Sequence, residues 1–156
     1  MDAVFAAFEG TALAQGLRVS RWGYAAVNAT HIFGIALLVG AILPLDLRLM
    51  GMWRSVPVGQ LARVLVPVAA TGLALAVLMG LALFSVRATE YPELRIFQAK
   101  LVLIAVGATS AIMLHAAHGL RLETAGPRRL ATAGALSMTC WLGALLCGRM
   151  IAFAGD

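Results

Sequence analysis

The stretch HIFGIALLVGAILPLDLRLMG runs from His31 to Gly51. It opens with a histidine inside a long apolar run and closes with a proline, the charged pair Asp46 and Arg48, and a glycine. Its uncharged part is nearly as long as the roughly 20 helical residues needed to cross about 30 Å of hydrocarbon. A histidine at such a position is costly and marks a functional site by default.

The rest of the chain has the same character. Of 156 residues, 62% are hydrophobic and only 12% are charged, with a mean hydropathy of +0.92. A soluble domain of this length has no core able to hide so much apolar surface. The expectation is a single membrane domain over residues 1–156, in contact with the lipid bilayer. The net charge of +5 comes from arginines beside apolar spans, where they meet headgroups. There is no basic patch with interleaved aromatics, so nucleic acid is not an expected partner. Cys140 and Cys147 lie seven apart on one helix, about 10 Å along its axis, and do not pair. Residues 1–20 lack the continuous apolar run of a cleavable signal peptide.

Four spans are read, at about 23–43, 62–86, 97–119 and 130–153, with Pro44 ending the first. The connections are 44–61, 87–96 and 120–129, the last carrying Arg121, Glu123, Gly126, Pro127, Arg128 and Arg129. Short connections make successive spans antiparallel neighbours, so the predicted fold is all-α: an up-down four-helix bundle in the membrane. Residues 2–17 place Val4, Phe5, Phe8, Ala12 and Leu13 at helical spacing, which predicts one short amphipathic helix on the membrane surface. Trp22, Tyr24 and Trp53 are expected at the interfaces. Six basic residues fall on each side, a tie that leans to both termini outside once Lys100 and Arg149 are assigned to helix interiors.

Three histidines carry the candidate chemistry: His31, His115 and His118. The first and third spans run in the same direction, and a histidine from each could grip one haem b as axial ligands, with His118 as substitute for His115. Against this stands a depth offset of about 15 Å between His31 and His115. The alternative is that His31 hydrogen-bonds a neighbouring helix while His115 and His118 are interfacial. Lys100 and Arg149 lie within spans and would neutralise haem propionates, or else snorkel. Asp46 and Arg48 read as a local ion pair at the interface; the sharper reading makes Asp46 a proton shuttle to a bound quinone.

His31-x-x-Gly34, Leu38-Val39-Gly40, Asp46-Leu47-Arg48-Leu49-Met50-Gly51, Phe97-x-x-Lys100 and Trp141-x7-Arg149, with Gly148-Arg149, run through nearly the whole chain. Together they resemble a family of small bacterial four-helix membrane proteins of uncharacterised function. More distantly the chain is similar to copper-resistance-D-like proteins and to cytochrome b-type electron carriers. The carriers commonly bind two haems with four histidines; three histidines imply one haem at most. The expected function is therefore a bacterial inner-membrane haem b protein moving electrons between a quinone pool and a partner. The alternatives are a cofactor-free accessory subunit of a larger membrane complex or homo-oligomer, and metal transport.

Overall fold

The computed structural model describes residues 2–120, Leu122, 124–151 and Phe153; Arg121 and Glu123 of the third connection lie outside the described residues. Six α-helices are formed: α1 (Asp2–Glu9), α2 (Ala12–Val19), α3 (Arg21–Leu49), α4 (Val58–Val86), α5 (Arg95–His118) and α6 (Pro127–Ile151). A single 3₁₀ turn, Tyr91–Glu93, sits between α4 and α5. The four long helices are each long and apolar enough to cross a membrane, and the chain is a multi-pass membrane bundle.

Two boundaries differ from the sequence reading. Pro44 does not end the first span, because α3 continues through it to Leu49. Within hydrocarbon no water can take over freed backbone groups, so continuing the helix costs less than unwinding it. The cost is confined to the Gly40 carbonyl, which loses the Pro44 N–H it would otherwise have bonded. The N-terminal segment, in turn, is two helices rather than one. α1 stops at Gly10, and Thr11 starts α2 by accepting a hydrogen bond from the Ala14 N–H at 3.3 Å. α2 does not simply lie on the surface: Ala14 and Leu17 are buried where it packs on α3 and α4.

The α3–α4 seam is the closest in the molecule. A Cβ on Gly72 would lie 2.5 Å from the Leu38 nitrogen and 2.8 Å from the Gly34 oxygen; one on Gly34 would lie 2.7 Å from the Ala76 nitrogen. The two backbones touch, which only glycine permits, and this is how helices gain packing energy where lipid offers no hydrophobic drive. α3 also packs on α6, and α6 on α5, whereas α4 and α5 share almost no packed surface despite being consecutive. The bundle is thus open along one side. Of the apolar window of α5 only 6% is buried, against 33% for α3, so α5 is mostly lipid-facing.

Two apolar clusters fill the interior. Leu38, Ala41, Ala69 and Trp141 form the middle layer. Leu45, Leu49, Ala62 and Leu122 close one end. Leu122 comes from the α5–α6 connection with φ +56 and is 1% exposed. A left-handed leucine is unfavourable, and here insertion of its side chain between α3 and α4 holds it there.

Candidate functional site

The sequence motifs sort to opposite ends of the bundle. His31-x-x-Gly34, Phe97-x-x-Lys100 and Gly148-Arg149 converge at one end, hereafter the His31 end. The glycine at 34 draws the α4 backbone in, so that the His31 Nδ1–H donates to the Ala76 carbonyl at 2.8 Å. That bond fixes the ring and leaves Nε2 as the lone-pair nitrogen, with no protein partner and not sealed from approach. Gly80 lies against the ring, where a Cβ would stand 3.1 Å from Cε1.

Lys100 reaches in from α5, diagonally across the bundle. It stands level with His31, one turn inside the Phe97–Phe84 contact as His31 is one turn inside Phe84 through Gly80, and the Cys147–Gly148 segment of α6 lies against it. Its stem rests on Gly148, where a Cβ would be 3.5 Å from Nζ. Arg149 turns away, its guanidinium 5.0 Å over the ring of Phe153. One turn from Lys100, Phe97 stacks on Phe84 at 5.7 Å and an interplanar angle of 8°. Tyr91 stacks on Phe97 at 5.5 Å, and Phe5 of α1 meets Phe84 edge-on. This stack closes the otherwise open α4–α5 side at the level just beyond His31 and Lys100.

The N-terminal helices are tied over the same end. Glu9 accepts from the Thr89 N–H at 2.9 Å, from its hydroxyl at 2.7 Å, and from Arg18 at 2.9 Å. Arg18 also donates to the Val86 carbonyl at the C-terminus of α4. Three donors, led by the Thr89 backbone N–H, hold the Glu9 carboxyl down at about 2.

The other end gathers the DLRLMG segment and the remaining histidines. His115 Nδ1 faces the Gly119 carbonyl at 3.3 Å, and His118 Nδ1 faces the Thr124 hydroxyl at 2.8 Å. Lys100 and His115 are fifteen residues apart on one helix, about 22 Å. His31 keeps company with Lys100, so the structure does not bring His31 and His115 together. A haem held between those two imidazoles does not fit, since the middle layer around Leu38 and Trp141 lies between their levels. His118 is one turn further still. Among the described residues, no three His, Cys, Asp or Glu side chains are grouped as a metal site would need.

Asp46 is not the surface ion pair expected. It is 3% exposed, set against α6 with Ser137 as its side-chain neighbour, and its Oδ2 has no hydrogen-bond partner. Arg48 instead donates to the Val56 carbonyl at 2.6 Å, clamping the α3–α4 connection. Cys147, beside Gly148 and Lys100, is the residue the sequence reading left out of the His31 end, whereas Asp46, weighed there as a proton shuttle to a quinone, lies at the opposite end. A charge within a turn of a helix end reads as interfacial, and nothing local marks it as facing a neighbouring helix. Compared with family models, curated proteins and solved structures, the chain finds no match.

Proposed function

We propose that the protein is a membrane binding protein for the headgroup of a lipid-soluble quinone, held between His31 and Lys100. The observation that carries this reading is the fixed His31 tautomer, whose Nε2 is left open at the same end of the bundle as Lys100. His31 Nε2 is an acceptor for a quinol hydroxyl, and Lys100 Nζ is a donor to a quinone carbonyl. A quinone presents such groups at its two edges and a flat apolar face to aromatic rings. Phe84 and Phe97 stand one turn away. The thinly packed α4–α5 side offers entry from the lipid. The protein resides in a bacterial inner membrane with both termini outside, which places the site near the outer leaflet.

The test is quinone retained by detergent-purified protein, extracted and quantified per chain. About one quinone per chain is expected in the natural sequence, with at least a tenfold loss in His31→Ala and Lys100→Met and none in His115→Ala. Equal retention in all four proteins, or none in the unsubstituted chain supplied with quinone, overturns the proposal. Oxidised and reduced visible spectra of the same samples test the haem reading, which requires a b-type signal lost in His31→Ala.

A second reading, an accessory subunit of a larger complex, is favoured by the 6% burial of α5. It predicts stable co-purification with a partner that is lost when exposed Val102 and Val106 on α5 are changed to bulkier residues.

A further inference from the structure

At the Asp46 end, two adjoining open depressions of about 630 and 670 Å3 meet at Val58, Ala125 and Leu130. Arg63 lines one, and Arg48, Arg54 and Arg128 line the other. The arginines arrive from α3, the α3–α4 connection, α4 and α6, so the tertiary fold assembles them. No described carboxylate pairs with any of them; the two ion pairs among the described residues, Arg18–Glu9 and Arg87–Glu90, are both at the opposite end. The sequence has no acidic residue between Asp46 and Glu90. Glu123 is the one acid in the α5–α6 connection, and one carboxylate neutralises at most one of these four charges.

Arg48 and Arg54 spend hydrogen bonds on the carbonyls of Val56 and Gly51, which fix their positions without cancelling charge. Arg63 and Arg128 donate no hydrogen bond within the described protein and are exposed. The start of α4 opens into the same depression through Val58, Gly59 and Gln60; Pro57 provides no side-chain cap and its carbonyl takes the Gln60 N–H at 3.2 Å, so the Val58 and Gly59 N–H groups of a 29-residue helix are left for an outside acceptor. Several cations held together with unspent donors favour an anion. Arginine forks match the tetrahedral oxygens of phosphate. At this depth, just beyond the apolar run that begins at Val64, the phosphates present are those of lipid headgroups.

We infer that this arginine-lined basin binds a phosphate group, supplied by the headgroup of an anionic phospholipid. The site is about 25 Å from His31 along α3, seventeen residues on at Arg48, and stands independently of the quinone proposal.

The experiment is thermal unfolding of the full chain in phosphatidylcholine mixed micelles, alone, with added phosphatidylglycerol, or with inorganic phosphate. Phosphatidylglycerol at about tenfold its dissociation constant is expected to raise Tm by about 3–6 °C. The rise should be abolished in the Arg63→Gln/Arg128→Gln pair and retained in Arg21→Gln/Arg95→Gln at the other end. A rise with inorganic phosphate, also lost in the first pair, supports the phosphate site and names free phosphate as its source. No rise with either, or a rise equal in both pairs, overturns the inference. Should the double variant not fold, single Arg63→Gln, exposed and unbonded, is read in its place: its rise should fall by at least half, and an undiminished rise overturns the inference.

Discussion

The two ends of this bundle treat charge in opposite ways. At the His31 end two acids are held by bases and donors: Glu9 meets Arg18 and Thr89, and Glu90 meets Arg87. A roof of α1, α2 and stacked aromatics then covers a histidine and a lysine in hydrocarbon. At the Asp46 end the arginines are gathered without described counter-charges, and the one carboxyl among the described residues there is buried against α6 with an oxygen unpaired. The difference teaches that one end ties its helices and connections together through carboxylates, while the other gathers arginines whose donors are left over. The groups available for ligand chemistry accordingly differ in kind: the open His31 Nε2 at the first end, and the unspent arginines at the second.

The comparison breaks most completely at the seam that fixes both ends. Gly72→Val drives a side chain into the α3 backbone and should cost more than about 3 kcal/mol, or prevent folding, in a detergent unfolding assay. Tolerance of that substitution with unchanged Tm would show that α3 and α4 do not touch as described. Next in size is Leu122→Ala, which empties the plug at the Asp46 end and should cost about 2–5 kcal/mol while leaving quinone retention at the His31 end intact. A loss under about 1 kcal/mol would mean that the connection does not insert.

Asp46→Asn sharpens the contrast rather than breaking it. Replacing a buried carboxyl that has an unpartnered oxygen by a neutral amide is expected to leave stability within about 1 kcal/mol or to raise it. A loss of about 3 kcal/mol or more would identify a buried ionic partner. The smallest effect is expected from Glu9→Gln, which should speed amide hydrogen exchange in α1 and α2 without moving the unfolding of the four long helices. The Glu9 carboxyl lies below its ordinary value in the fold, so its contribution is complete above about pH 4.5 and is lost as pH falls towards about 2. Exchange in α1 and α2 that is unaltered between pH 6 and pH 3, after correction for intrinsic rates, would remove Glu9 as their anchor.

Much of the fold was legible along the chain because hydrocarbon leaves little choice. Long uncharged windows with short connections specify helices and their up-down order, and the spans at 62–86 and 97–119 lie within three or four residues of α4 and α5. What failed was local: Pro44 reads as a helix end only where water can receive the freed carbonyl, and Gly10-Thr11 breaks a pattern whose apolar spacing continues across it. For the site, His31 and Lys100 were visible as ionisable residues in apolar runs. Their pairing was not, because it depends on which residue of α3 lies level with which of α5.

The sequence by itself determined that this is a four-span membrane protein with costly polar groups inside it, since composition and window length answer to the bilayer alone. Only the tertiary structure decided which of those groups meet. Gly34 and Gly72 set the register of α3 against α4, which gives His31 its partner in Ala76. The packing of α6 between α3 and α5 brings Lys100 level with His31 and leaves His115 about four turns away. Register between helices is a property of side-chain shape at the seams, and a hydropathy pattern carries no trace of it.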